Sequence, residues 1–179
     1  MPEIEIRPAV SDDIPHLMAL DHGYSSDYVW QMDIQVEENH TNVYFRELRL
    51  PRSVRVEYPR QTQELADDWT ERAAVLIARL DAQPIGYISL LRDIAPVTIW
   101  VSDLVVARRL RRQGIGSALV LAAQEWARKQ GIGRMVLEMQ PKNHAAIRMA
   151  EKLGFVFCGY NDRYYANHDI ALFFGKPLR

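Results

Sequence analysis

The 179-residue chain has one cysteine, Cys158, so no disulfide can close within it, which suits a reducing compartment. It has no apolar run approaching the roughly 20 residues that cross a bilayer. Its opening residues, MPEIEIRPAV, carry acids where a secretory leader would carry basic residues followed by an apolar stretch. A cytoplasmic protein with no membrane partner is therefore expected. Glycine and proline are few, nine of each, and there is no repeat, low-complexity tract or linker. With 48% hydrophobic and 25% charged residues, the composition is that of one globular domain over residues 1–179. The net charge of −1 gives no global attraction to nucleic acid or anionic lipid.

The charge distribution is less even than the total. From Pro8 to Phe45 there is no Lys or Arg, yet seven acids stand there: Asp12, Asp13, Asp21, Asp27, Asp33, Glu37 and Glu38. The opposite bias falls in VVARRLRRQG, with four arginines between Arg108 and Arg112. The first region should attract cations and the second anions. Both could equally be solvated faces. The arginines are confined to one loop without interleaved aromatics, so no nucleic-acid partner is expected.

Periodicity gives a strand over 3–9, then a helix through IPHLMALDH opened by Ser11-Asp12-Asp13. Residues 23–70 mix helical and alternating patterns, which predicts a short helix, one or two extended pieces, and a second short helix at ELADDWTER. AAVLIARL and PIGYISLLRD, joined by Asp81-Ala82-Gln83, form a hairpin, and TIWVSDLVV is a long apolar strand. Ile115, Leu119, Ala122, Ala123 and Trp126 mark one helical face, which Gly131 ends. RMVLEMQ is a strand, Asn143 caps a helix running to Leu153, and the strands FVFCGY and HDIALFFGKPL close the chain. The order gives an α/β (α+β) fold with a mixed sheet flanked by helices.

The stretch RRQGIGSAL, from Arg111 to Leu119, joins a strand to a helix through two glycines. The first-turn N–H groups of a helix lack intrahelical partners, and the helix dipole adds positive charge there, so such a junction binds anions. A nucleoside-triphosphatase loop needs Gly-Lys-Ser/Thr, but Gly116 is followed by Ser117-Ala118. A dinucleotide fingerprint needs a third glycine where Leu119 stands. Both motifs fail. The remaining pattern, Arg/Gln-x-x-Gly-x-Gly/Ala, is met by Arg111-Arg112-Gln113-Gly114-Ile115-Gly116.

That pattern resembles the pyrophosphate loop of the GNAT superfamily of acyl-CoA-dependent N-acetyltransferases. The resemblance covers about residues 97–160, from the strand ending Asp103-Leu104-Val105-Val106 through VLEMQ to NHAAIRMAEKLGF. It implies a mostly antiparallel sheet of six to seven strands whose central strands splay apart around the cofactor. It further implies acetyl-CoA as co-substrate and no metal. Backbone groups of Leu104, Val105 and Val106 would bind the pantetheine arm. The N–H groups from Arg112 through Gln113, Gly114, Ile115 and Gly116 to Ser117 would hold the pyrophosphate, with Arg111 and Arg112 facing the remaining phosphate charge. Asn143 would hydrogen-bond along the arm. Similar proteins are commonly homodimers, though no residue here decides that.

Acetyl transfer from a thioester requires a neutral amine, a stabilised oxyanion and a proton for the leaving thiolate. A lysine-type ammonium, with pKa near 10.4, must lose a proton first. Asp103 and Glu138, each an acid within an apolar strand, are the two candidates to take it, with Glu138 slightly favoured; either could instead face solvent. The resemblance places a tyrosine as thiolate donor where this chain has Ala150. Replacement donors are Tyr160, Tyr164 and Tyr165, of which the last two are carried as catalytic candidates. Cys158 is expected to be a buried apolar residue. The implied function is N-acetylation of a primary amine, either a small cationic amine or a peptide α-amine, in a ternary complex. The alternative is a non-catalytic acyl-CoA-binding regulatory module.

Overall fold

A computed structural model describes residues 3–179. Its strands are β1 (Glu5–Pro8), β2 (Tyr24–Val36), β3 (Thr41–Val56), β4 (Ala74–Leu80), β5 (Gln83–Leu91), β6 (Thr98–Val106), β7 (Arg134–Met139), β8 (Val156–Asn161) and β9 (Ala171–Pro177). Its helices are α1 (Ile14–Met18), α2 (Thr62–Asp68), α3 (Ile115–Lys129) and α4 (His144–Lys152), with short 3-10 turns at Ser11–Asp13 and Arg108–Leu110. Seven strands form one sheet in the order β1-β4-β5-β6-β7-β9-β8, while β2 and β3 pair as a separate ribbon. Within the large sheet only β6 and β7 run parallel. The mixed, mostly antiparallel architecture read from the sequence is the one present.

Helices cover both faces of the sheet. In β4, Leu76 and Ala78 join a core with Leu119, Ala123 and Ile147 of α3 and α4. Val75 and Ile77, pointing the other way as strand alternation requires, meet Ile14, Leu17 and Leu65 of α1 and α2. The hairpin between β4 and β5 turns at Asp81 and Ala82, both with positive φ (49° and 64°), as a two-residue turn of the primed type demands. Among the described residues no helix is long and apolar enough to cross a membrane.

Three expectations are corrected. No helix precedes the extended pieces of residues 23–56: the two strands pair from Tyr24↔Val56 to Val36↔Thr41, with a bulge beside Asp27. Most of this ribbon stands in solvent on both faces, so its alternation is weak. Trp30 and Phe45 anchor it among the apolar residues, packing against Phe157 and Phe174 with ring centroids 5.2–6.0 Å apart, while Tyr28 stacks on His144 and Glu47 pairs with Arg148 of α4. Second, α1 stops at Met18, and the following turn carries His22 into the body, where it is 8% exposed. Third, Cys158 is exposed on β8, the outermost strand of the sheet.

Candidate active site

β6 and β7 start side by side and then part. Their parallel register runs from Thr98↔Arg134 to Val101↔Leu137, although β6 continues to Val106 and β7 to Met139. The cause lies in β6. Ser89 of β5 pairs with Asp103 and Leu90 with Val101, so Ser102 is an extra residue, a β-bulge that bends its strand. The bulge also resets side-chain parity. Val101 packs into the α3–α4 core, whereas beyond the bulge Val105 faces α1 and α2 and Leu104 faces α3.

The resulting cleft has a volume of about 450 Å³ and is lined by Leu104, Val106, Glu138, Met139, Asn143 and the N-terminus of α3, among others. Which backbone groups enter it follows from the ladder on the other side. Ala107 N–H donates to Ile85 O at 2.7 Å. By antiparallel alternation, Asp103 and Val105 then turn their amides toward β5, and Leu104 and Val106 turn theirs to the gap. Of the three residues expected to offer backbone groups, Val105 is therefore committed to its ladder with Tyr87.

The glycine loop lies at the outer end of the same cleft. Gly114 is the N-cap of α3 with φ 85°, and the first bond of the helix is Ala118 N–H to Gly114 O at 3.0 Å. The amides of Ile115, Gly116 and Ser117 precede that bond and line the cleft. A Cβ placed on Gly116 would meet Met149 Sδ at 3.5 Å and Leu104 Cδ2 at 3.9 Å, ordinary contacts, so packing alone does not require glycine there. Its bare backbone leaves room over the amides for a bulky anion, and the residues present fit a diphosphate.

The arginines divide their roles. Arg111 bonds three backbone carbonyls: Nε to Val106 O at 2.8 Å, Nη1 to Gly23 O at 2.7 Å, and Nη2 to Asp21 O. Its guanidinium is thus a clamp between the end of β6 and the start of β2, and it also lines the cleft. Arg112, with φ 66°, lines the cleft with its charge unclaimed by those carbonyls. Gln113 is exposed outside the lining. Asn143 caps α4, its Oδ1 accepting from Ala146 N–H at 3.2 Å, and also lines the cleft.

The two carboxylates differ sharply. Asp103 is 5% exposed and does not line the cleft; it accepts from Arg72 Nη1 at 3.0 Å, Ser102 Oγ at 2.8 Å and the Tyr58 hydroxyl. Glu138 lines the cleft, and its Oε2 accepts from Trp100 Nε1 at 2.7 Å and Tyr164 Oη at 2.8 Å. Its other oxygen, Oε1, accepts from Arg60 Nη2. Arg60 also donates from Nη1 to Ser102 O at 3.0 Å and lies 3.9 Å from Asp103 Oδ1. One guanidinium therefore bridges the separated strands just past their last pair. Burial works to lower the Arg60 pKa, but the charges of Glu138 and Asp103 prevail and hold it above its ordinary value.

Tyr164 and Tyr165 reach this point as a perpendicular pair with centroids 5.1 Å apart. Burial and then the Glu138 charge push the Tyr164 phenol up to about 12. Tyr165 is buried, lines the cleft, and lies under the Arg60 guanidinium at 5.3 Å. Ala150 is fully buried in the α3–α4 core. Residues 21–70, with Tyr24, Tyr28 and Trp30, are the expected acceptor pocket; Tyr24 lines the cleft, whereas the roles of Gln140, His22, Tyr58 and Arg60 there are not foreseen. Tyr24 donates to Gln140 Oε1 at 2.6 Å, and Gln140 Nε2 donates to Asp169 at 2.8 Å. His22 holds Leu20 O with Nδ1 at 2.8 Å, so in its neutral form Nε2 accepts from the Tyr87 hydroxyl at 3.0 Å. Arg60, Tyr58 and His22 carry no local motif, since their partners are 42 to 78 residues away.

Comparison with known proteins agrees with this geometry. Streptothricin acetyltransferase of Streptomyces lavendulae is 33% identical over 81 residues, a match covering 43% of each chain. Streptothricin acetyltransferase A of Bacillus subtilis is 31% identical over 77 residues, covering 41% of this chain and 44% of the relative. The matched segments thus span less than half of these relatives. In fold, a nourseothricin acetyltransferase superposes with TM-score 0.82 at 23% identity, covering 98% of this chain and 99% of the other. A Bacillus anthracis protein assigned as a streptothricin acetyltransferase, solved with acetyl coenzyme A, gives TM-score 0.77 at 22% identity, with coverage of 98% and 99%. The model of the acetyltransferase (GNAT) family matches residues 39–155, taking in the ribbon strand β3, the split strands, the glycine loop and α4, and the chain belongs to that family.

Proposed function

We propose that this protein transfers an acetyl group from acetyl-CoA to a primary amine of a small cationic acceptor, by direct attack within a ternary complex. The observation that carries this reading is the junction of the bare amides at Ile115–Ser117 with the gap between β6 and β7. The names of the streptothricin and nourseothricin acetyltransferases favour a streptothricin-type antibiotic amine as acceptor. The acidic stretch from Asp12 to Glu38 favours a cation for the same reason that it repels anions. The single cysteine suits a reducing compartment, and we place the reaction in the cytoplasm.

When bound, acetyl-CoA supplies an activated acyl carbon and a thiol leaving group. Amides of Ile115, Gly116 and Ser117 would hold its diphosphate beside Arg112, and Leu104 would offer its N–H and C=O and Val106 its N–H to the arm, with Asn143 alongside. An N–H of Leu104 or Val106, aimed into the gap, is the donor for a developing oxyanion. Glu138 is the carboxylate that faces the cleft and receives the proton the amine must lose. Tyr164 already donates to Glu138 Oε2, so Tyr165 is the hydroxyl left to protonate the thiolate.

A second reading has one observation behind it: at Ala150 the side chain is apolar and sealed in the core, so α4 offers no hydroxyl and the chain could bind acyl-CoA without catalysis. Thiol release separates the two. Purified protein with acetyl-CoA and a panel of streptothricin-class and simpler diamine acceptors should release free thiol with at least one of them. Tight acetyl-CoA binding by calorimetry with no release from the whole panel would establish the binding module instead.

A further inference from the structure

Arg60 occupies a place that the rest of the cleft has built for a cation. It arrives from the connection between β3 and α2, outside any strand or helix, and its side chain is 21% exposed. The carboxylates it meets are far more enclosed, 1% for the Glu138 side chain and 5% for Asp103. Around the guanidinium stand Glu138 Oε1, the Ser102 carbonyl at 3.0 Å and the ring of Tyr165 at 5.3 Å. A carboxylate oxygen, a carbonyl oxygen and an aromatic face together make a receptor for an organic cation.

What Arg60 leaves behind is equally informative. Without it, Asp103 keeps Arg72, Ser102 Oγ and Tyr58, and Glu138 Oε2 keeps Trp100 and Tyr164. Glu138 Oε1 and the Ser102 carbonyl lose their hydrogen-bond partner, while Asp103 Oδ1 loses only the more distant Arg60 charge at 3.9 Å and keeps Tyr58. Every other polar group of the cluster is satisfied by the fold, so the vacancy would be specific and cation-sized.

We infer that Glu138 Oε1, Ser102 O and the Tyr165 ring form a cation subsite in which Arg60 sits as an internal surrogate, and that a substrate's ammonium or guanidinium group enters by exchange with it. The inference rests on the proposed acceptor being a cation, and it makes Arg60 a specificity-determining gate. An acceptor without positive charge has nothing to offer in exchange for the ion pair it breaks. An acceptor with one replaces the lost partner of a buried carboxylate, whose unpaired state is strongly unfavourable.

The test uses methylguanidinium as probe and does not depend on turnover. Arg60→Met keeps most of the side-chain volume and empties the subsite. Arg60→Lys retains charge but cannot span Glu138 and Ser102 with a planar fork. Titrated by calorimetry, methylguanidinium should bind Arg60→Met at least about ten-fold more tightly than the unaltered protein. It should bind Arg60→Lys with intermediate affinity, and the gain should vanish in Arg60→Met/Glu138→Gln. A folded variant of either kind that gains no affinity overturns the proposal, and so does the failure of both to fold, which would make Arg60 a structural brace. Acetyl-CoA titration of the same samples keeps the parent reading separate: a protein that gains methylguanidinium binding but never binds acetyl-CoA sinks the acetyltransferase reading and leaves the cation subsite standing.

Discussion

Val101 faces Leu137 as the last pair between β6 and β7, and one residue later the bulge at Ser102 turns the two strands apart. A parallel pair that ends inside a sheet leaves a row of backbone groups without partners, a costly arrangement in an interior. Two arginines recover part of that cost. Arg60 takes the Ser102 carbonyl at the closed end of the gap, and Arg111 takes the Val106 carbonyl at the open end. Between them the edge at Leu104 and Val106 is left for a ligand, so the opening is stabilised at its two ends.

The two buried carboxylates should respond differently to neutralisation. Asp103→Asn removes the charge facing Arg72, whose side chain is only 7% exposed, and stands outside the cleft lining. It is expected to cost about 3–5 kcal/mol of stability, read as a lowered denaturant midpoint. Glu138→Gln keeps the shape of the cleft and should lower kcat by about 10²–10⁴-fold. A kcat for Asp103→Asn as low as that of Glu138→Gln, measured on fully folded protein, would exchange their roles.

Tyr164 and Tyr165 are adjacent but do not share a role. The Tyr164 proton is engaged with Glu138 Oε2 at 2.8 Å, whereas Tyr165 lines the cleft beneath Arg60. Tyr165→Phe should reduce kcat by about 10²-fold with little change in KM for acetyl-CoA. Tyr164→Phe removes one of three bonds to Glu138 and should cost less than ten-fold, a typical loss of about 1 kcal/mol for a hydrogen bond. Steady-state kinetics of both variants decides between them.

Much of this architecture is legible along the chain, and what is not has a physical reason. The β4–β5 hairpin, β6 and α3 announce themselves because their signals are local: a two-residue turn, an apolar run, a helical stripe closed by Gly131 with φ 72°. The glycine loop at the start of α3 is legible for the same reason, since a strand-to-helix junction is made from consecutive residues. The ribbon from Tyr24 to Val56 hides because few of its residues are buried, so neither period prevails. Arg60 is invisible because its meaning comes from Ser102 and Glu138, brought to it only by the sheet. Arg111 shows what a motif leaves out: the loop pattern points it at phosphate, while only the fold reveals its bonds to the carbonyls of Asp21, Gly23 and Val106.

Stability should fall as the medium becomes mildly acidic, with His22 as a source. Burial lowers its pKa below the ordinary value of 6.5, outweighing the Leu20 carbonyl bond and the nearby Asp103 charge. Below that value the unfolded chain binds a proton that the folded chain resists, so stability rises with pH through this window and is lost as pH drops. Asp13, held below its usual range mainly by Arg7, acts in the same direction only at much lower pH. Urea midpoints between pH 7.5 and 5.5 should therefore decline, and His22→Gln should flatten the decline. A slope unchanged in that variant would assign the effect elsewhere.

The two loop glycines should separate stability from binding. Gly114 has φ 85° with nothing within 4 Å of a Cβ, so Gly114→Ala meets backbone strain alone and should cost about 1–2 kcal/mol. Gly116 lies inside the first turn of α3, and its added Cβ finds only ordinary contacts with Met149, Leu104 and Val106. There alanine's better helix propensity should hold or raise stability, by up to about 1 kcal/mol. That same methyl group lies among Met149, Leu104 and Val106 of the cleft wall, so acetyl-CoA affinity should fall by at least about ten-fold, or 1.4 kcal/mol, by calorimetry. A Gly116→Ala protein that melts higher and binds weaker ties this glycine to the ligand. If it melts higher and binds acetyl-CoA as before, the diphosphate does not sit at the start of α3.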